Sequence, residues 1–367
     1  MKQKGHILAC EIKGKGLGDM SLRFLVKRPR KYARLLLPVC VFTLIILGVM
    51  ALFFCAHKLV VYLAADQEMA IEEDTVTIKV FLHETQEVVE MGLEEYIAGV
   101  VAAEMPASFS LEALKAQAVA ARTYAVKRLF VPDSRVKESN QEADISTDHT
   151  INQAWISTAE MKSRWGKWNF AANREKIVQA VEATRGKVLV YNGQIVDPAY
   201  HASCGGKGTE NSGDVWKVDV PYLKGVACTG HQDRHQAETH FFSLQKLDSL
   251  LGTSLNTLPA SKLTIGGKGA LSIKEKSNSG RIREATISEK TFSGTELRTK
   301  LALPSTRFSW KIKDGGVLFQ TNGYGHGVGM CQYGANDLAQ QGKNYEEILR
   351  HYYSGVEIAR IKTGKGK

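Results

Sequence analysis

Along residues 93–104 (LEEYIAGVVAAE) the apolar side chains Leu93, Ile97, Val100 and Val101 fall at the i, i+4, i+7, i+8 spacing of an amphipathic helix. Glu104 continues that stripe toward the core, in the last turn before Met105-Pro106. A second helix is predicted from Ser110, as its cap, to about residue 129. Its stripe of Leu111, Leu114, Ala118, Ala121 and Ala125 suits close packing, with Lys115 and Arg122 on an adjacent face. Residues 75–82 (TVTIKVFL) and 87–91 read as a strand and a hairpin partner. Residues 131–152 are polar and read as a loop, and 174–184 as a short helix ending near Gly186. Residues 187–203 read as a hairpin turning at Asn192-Gly193. Ser293-x-x-Glu296 and Asn344-x-x-Glu347 are helix-start signatures. Strands and helices do not alternate regularly, which predicts an α+β fold with mixed helices and antiparallel strands.

One segment breaks the pattern. Residues 35–56 (LLLPVCVFTLIILGVMALFFCA) contain no charge. At ~1.5 Å per residue they reach ~33 Å, enough for a hydrocarbon core of ~30 Å. That is longer than the apolar region of a cleaved signal peptide, and no small-residue cleavage site follows. Charge then fixes the orientation. The net charge is +10, but residues 1–34 hold ten Lys/Arg against Glu11 and Asp19, which leaves only +2 for the remainder. The basic excess is thus an arm beside the anchor, not a nucleic-acid face, and the positive-inside rule puts it in the cytoplasm. The expected organisation is a basic cytoplasmic arm (1–34), an anchor with its juxtamembrane segment (35–65) and an extracytoplasmic body (66–367).

Candidate chemistry centres on Glu104. Burial and the negative end of the helix dipole both push its pKa up, and a carboxyl protonated near neutral pH suits a general acid. An ion pair with Lys115 or Arg122 is the structural alternative. Gly323–Gly329 (GYGHGVG) lacks the Lys-Ser/Thr of a phosphate loop. Its glycines would instead let backbone approach a ligand, with His326 displayed between them. Cys204, Cys228 and Cys331 are the cysteines of the expected body, an odd number that permits at most one disulfide. Cys228-x-x-His231-x-x-x-His235, with His201 and Cys204 upstream, has spacing compatible with metal ligation but also with ordinary loop histidines.

Three separated blocks carry a resemblance: LEEYIAGVVAAEMPASFSLEALKAQAVAARTYA (93–125), AYHASCGGKGTENSGDVW (199–216) and GYGHGVGMCQYGAN (323–336). In this order they resemble the stage II sporulation protein D family, membrane-tethered lytic transglycosylases of endospore-forming bacteria, over roughly residues 76–361. The resemblance implies that Glu104 is the catalytic acid/base. It assigns Lys115 and Arg122 to substrate binding, together with Ser203, Thr209, Glu210, Asn211, Asp214, Trp216, His326 and Gln332 of a glycan groove. The implied reaction cuts the β-1,4 bond between N-acetylmuramic acid and N-acetylglucosamine of denuded strands, leaving 1,6-anhydro ends, during engulfment of the forespore. Implied partners are peptidoglycan strands, a cell-wall amidase and other engulfment membrane proteins. Some family members hold zinc in a loop patterned A-D-V-C-x-D-x-x-H-C-Q-A-Y. Here residues 143–155 place Ser146, Ile151 and Asn152 at or near the ligand positions, so no metal or other cofactor is expected. Asp214 and Glu210 are the alternative acids. A non-catalytic amidase modifier is the alternative function, and a metal-dependent hydrolase built on Cys228, His231 and His235 is a third.

The charge and hydropathy pattern sets the topology test. Protease added to wall-stripped cells should digest the body and spare an N-terminal tag; a protected body would reverse the orientation.

Overall fold

A computed structural model describes residues 44–56 and 76–361, except 229, 232, 233, 260 and 266–268. The chain divides into two units, Met1–Val60 and Val61–Lys367. The first is described by a helix over residues 44–56 whose Leu44, Leu47, Leu52 and Phe53 are exposed. Among the described residues no helix is long and apolar enough to cross a membrane. Residues 35–43 and 57–65 of the expected anchor segment lie outside the described residues, so a spanning helix over 35–56 is not shown.

The second unit is α+β, as its pattern predicts. β1 (Thr77–Leu82) and β2 (Glu87–Gly92) pair antiparallel, and β3 (Ile145–Ser146) adds in parallel to β1. The chain then enters α1 (Leu93–Glu104) and α2 (Leu111–Phe130). Ser110 stands at the start of α2, but its side chain makes no capping hydrogen bond; its N–H donates to Asn336 Oδ1 at 2.7 Å. α2 is the central rod, packed against α1 and four other elements: α4 (Thr158–Ala183), β4 (Lys187–Tyr191), α8 (Gln332–Gln340) and α9 (Tyr345–Tyr352). Ala113, Ala116, Ala118, Ala120, Ala121 and Ala125 are all fully buried, because α2 has neighbours on every side.

That enclosure corrects the expectation for Arg122. It is fully buried, and its guanidinium points into the body. Its Nε donates to Glu94 Oε1 and Oε2 at 2.8 and 3.0 Å, and Nη2 completes the pair. Further donors reach the carbonyls of Val181 and Lys187, both at 3.2 Å, while Glu94 Oε1 also accepts the Gly186 N–H at 3.1 Å. One ion pair thus ties α1, α2, the end of α4 and the start of β4.

Other expectations shift in identifiable ways. The loop at 131–152 contains a short helix, α3 (Ser134–Ser139), and β3. The short helix expected at 174–184 is the end of the longer α4, which starts in a Ser157/Glu160 capping box and breaks at Gly166, where φ is +69°. Asn192 (φ +50°) and Gly193 (φ +75°) do make the turn from β4 to β5 (Gln194–Ile195). Beyond it the Asp197 N–H turns to Tyr222 Oη at 3.0 Å, and Pro198 has no N–H to offer a ladder. Tyr200–His201 (β6) instead pairs in parallel with Met330–Cys331 (β13). Between β6 and β13 lies α5 (Ser212–Trp216), followed by a second hydrophobic core. Two three-stranded sheets, one ordered β7 (Glu238–Ser243), β12 (Gly316–Thr321), β11 (Phe308–Lys313) and the other β8 (Leu271–Lys276), β9 (Ile282–Ile287), β10 (Lys290–Ser293), with α6 (Leu244–Leu251) and α7 (Gly294–Lys300), close around Leu247, Ile287, Leu297, Trp310 and Phe319. α7 and α9 begin in the predicted capping boxes. α8 (Gln332–Gln340) follows β13, and β14 (Glu357–Arg360) pairs with β4.

Removing one partner of a buried ion pair costs about 3–5 kcal/mol, because the other charge stays buried and uncompensated. Arg122→Met and Glu94→Gln should each lose about that much in urea unfolding, and the Arg122→Met/Glu94→Leu double variant should lose less than the two single losses added. A single-variant loss under about 1 kcal/mol, the range of an exposed pair, would contradict this account.

Candidate active site

α1 stops at Glu104 because the residue before Pro106 is driven to extended backbone; Met105 has φ −121° and ψ 143°. The last turn therefore delivers the Glu104 carboxyl where two other segments converge. Its Oε1 accepts the Ala154 N–H at 3.2 Å, and its Oε2 accepts from Gln332 Nε2 at 3.1 Å. Gln332, the first residue of α8, also reaches Gln117 Oε1 on α2 at 3.4 Å. Ala154 is placed by its neighbour Trp155, whose indole lies across α1 at Gly99; a Cβ there would collide with the ring. Behind the carboxyl, Gln153 accepts from Tyr96 Oη at 3.3 Å and donates to Tyr200 Oη at 2.8 Å.

Burial pushes the Glu104 pKa above the ordinary carboxylate value, and the hydrogen bonds from Gln332 and Ala154 oppose that rise without cancelling it. The phenols of Tyr96 and Tyr200 are raised well above their usual value by burial first, with the Glu104 charge contributing. Neither Lys115 nor Arg122 pairs with Glu104. Lys115 Nζ bonds Glu112 at 2.7 Å and lies 6.0 Å from the Tyr345 ring centroid, whereas Arg122, with no exposed surface and paired to Glu94, cannot meet a substrate.

The remaining expected residues form two further groups. His326 packs against Trp216 at 5.2 Å and His201 at 5.6 Å between ring centroids. Burial, with Arg281 and Arg298 nearby, holds the His326 pKa down to about 4. Thr209, Glu210, Asn211 and Asp214 lie where the second core meets the first. Glu210 and Asp214 line a cavity of about 560 Å³ with Arg281, Arg283 and Lys300. Glu104 does not line that cavity. Glu210 is buried and accepts from Ser277 Oγ at 2.8 Å and from Ser279, while Asp214 pairs with Arg283 at 2.6 Å. Ser203 Oγ accepts the Gly205 N–H at 2.9 Å, Thr209 Oγ1 the Val226 N–H at 2.9 Å, and Asn211 Oδ1 the Gly225 N–H at 3.0 Å. Ser203 and Thr209 are buried and shape their loops rather than face solvent.

A family model described as "Stage II sporulation protein" matches residues 82–191, which include Glu104, Gln117, Gln153 and Ala154. Stage II sporulation protein D of Bacillus amyloliquefaciens is 36% identical over 297 residues, 81% of this chain and 82% of that relative. The Bacillus subtilis protein of the same name is 37% identical over 285 residues, covering 77% and 79%. The chain belongs to the stage II sporulation protein D family. The amidase enhancer of Bacillus subtilis is 30% identical over 312 residues, 71% of this chain but only 40% of that relative.

Gln117, Gln153, Ala154 and Trp155 were not singled out in the sequence, although Gln153-Ala154 matches the Q-A of the family's loop pattern. The substituted ligand positions of that loop bond one another instead: Asn152 Oδ1 accepts the Ser146 N–H at 2.9 Å. Sequence separation hid the rest, since Gln332 lies 228 residues beyond Glu104.

A carboxyl whose pKa is raised on folding holds its proton more tightly in the folded chain than in the unfolded one. Below the unfolded value of about 4.3 both states are protonated and Glu104 contributes nothing. As pH rises through the folded pKa, the unfolded state gains. Glu104→Gln keeps the shape, and the Gln332 amide can turn over to accept the new N–H. The variant should therefore match wild type in denaturant unfolding at pH 4 and be more stable at pH 8. Equal stability at both values would remove the desolvation argument.

Proposed function

We propose that this chain is a membrane-anchored lytic transglycosylase of denuded peptidoglycan strands, with Glu104 as its acid and base. The observation that carries the proposal is the half-buried Glu104 carboxyl, raised in pKa and held at both oxygens by Ala154 and Gln332. Family membership supports a role in sporulation. The chemistry needs one carboxyl only. Protonated Glu104 donates to the oxygen linking N-acetylmuramic acid C1 to N-acetylglucosamine, and the C1–O bond breaks. The resulting carboxylate takes the proton of the C6 hydroxyl of the same muramic ring as its oxygen bonds C1. The ring closes to a 1,6-anhydro end and Glu104 is again protonated. A hydrolase needs a second carboxylate to activate water or to bond the sugar. Glu210 and Asp214, the nearest alternatives by motif, are engaged by Ser277, Ser279 and Arg283.

The same reading places residues 35–56 in the membrane, residues 1–34 in the cytoplasm and the body against the wall, with an amidase acting first on the stem peptides. The 30% identity to an amidase enhancer favours a second reading, a non-catalytic partner of that amidase. It would use the binding surface and leave Glu104 idle.

Muropeptide analysis separates the two. General acid–base catalysis supplies about 10²–10⁴-fold, so Glu104→Gln should lower release of anhydro-ended fragments from amidase-treated strands by at least that range while strand binding persists. Wild-type activity should fall as pH rises through the folded pKa of Glu104, since the first step needs the proton. Glu95→Gln, exposed on the first turn of α1, should stay active. Glu94→Gln is unsuitable as a control because it breaks the Arg122 pair. Fragment release by Glu104→Gln at near wild-type rate would refute the assignment, and no release by wild type would favour the amidase partner.

A further inference from the structure

Three cysteines and one histidine from distant parts of the body meet in its interior. Cys204 follows β6, Cys228 and His231 lie in the segment before β7, and Cys331 ends β13. Their four donor atoms all lie within 4.8 Å of one another, and all four residues are buried. His231 Nε2 stands 3.2 Å from Cys204 Sγ and 3.5 Å from Cys331 Sγ. We propose that Cys204, Cys228, His231 and Cys331 bind a structural zinc ion.

Donor chemistry supports zinc over the alternatives. Three thiolates and one imidazole make one of the common closed tetrahedral zinc sets. A disulfide would use only two of the three sulphurs gathered with the His231 ring. A redox or nucleophilic thiol needs access, whereas Cys204 and Cys331 have no exposed surface. Four protein donors also leave no open position for substrate, so the ion is structural.

The surroundings are those that metal-bound thiolates require. Cys331 Sγ accepts the backbone N–H groups of Cys204 at 3.2 Å and of Gly334 at 3.3 Å, the latter because Cys331 caps α8. Such N–H···S bonds orient a thiolate and spread its charge, and a helix start favours an anion. Tyr352 Oη lies 3.2 Å from Cys228 Sγ. A Cβ at Gly334 would strike both Cys228 Sγ and Tyr352 Oη, so glycine is needed where α8 passes the cluster. Zinc with three thiolates carries one net negative charge. Two guanidiniums act on Cys204: Arg307, whose Nη1 holds the Gly205 carbonyl at 2.6 Å, and the buried Arg281. Among the described residues Arg281 Nε and Nη2 have no hydrogen-bond partner; Glu210, Cys204 and Cys331 are acidic groups that favour its charge.

This set differs from both arrangements considered in the sequence. It lies away from residues 143–155. It also takes two members of the Cys228/His231/His235 spacing and replaces the third with Cys331, 100 residues beyond His231. His235 turns to Glu238 Oε1 at 2.9 Å, and His201 Nδ1 lies 3.2 Å from the Val328 carbonyl oxygen.

The test is metal analysis of the full-length chain in detergent, from cells grown with zinc, alongside intact mass after denaturing alkylation. One zinc per chain and six alkylated cysteines are expected. C204S and C331S should lose the zinc; C55S and H235A should keep it. Because C331S could fail to fold, His231→Cys, which conserves four zinc donors, should retain the ion. Cobalt(II) in the wild-type chain should show thiolate charge-transfer bands and the d–d spectrum of a tetrahedral site. Zinc-free wild type, a disulfide between any two of these cysteines, or zinc kept undiminished in a folded C204S chain would each overturn the proposal.

Discussion

The Arg122–Glu94 pair is the constraint on which the fold rests. A guanidinium with no exposed surface is tolerable only where a carboxylate and several carbonyls replace its water, and here they come from three other elements at once. The pair fixes the first turn of α1 against the middle of α2. Glu104 sits three turns further along the same α1, so its position relative to α2 follows from that anchorage. The alanines of α2 serve the same end by letting neighbouring elements approach closely.

At the other end of α1 the physics is inverted. Glu94 is buried with a counter-charge, and Glu104 is half-buried without one, offered only neutral donors. A neutral donor steadies a carboxylate less than a cation does. Glu104 is thereby left with raised proton affinity and a fixed orientation, the combination that acid chemistry requires and folding stability does not favour. Two glutamates of one helix are thus separated in role by what faces them.

Local signals in the sequence were reliable. The helix over 93–104, the turn at Asn192-Gly193 and the capping boxes at Ser293 and Asn344 all depend on residues within a few positions of each other. Ser157-x-x-Glu160 carried the same signature for α4 but preceded a stretch with little apolar stripe, and so went unread. Long-range pairings were illegible. Nothing near Arg122 distinguishes it from Lys115, its neighbour in the same pattern, because the difference lies in Glu94 and in carbonyls more than 50 residues away. Spacing likewise suggested His235 beside Cys228 and His231. The fourth donor of that cluster is Cys331, which only the parallel pairing of β6 with β13 brings near.

That pairing also orders events in time. The segment that carries the second core leaves and rejoins the body side by side, with the Gly323 N–H bonded to the His235 carbonyl at 2.7 Å. A ribosome must therefore deliver the whole insertion before β13 can find β6. Gln332, which steadies Glu104, is made only after that insertion. A nascent chain that already carries Glu104 therefore lacks the group that orients its carboxyl until the second core has followed.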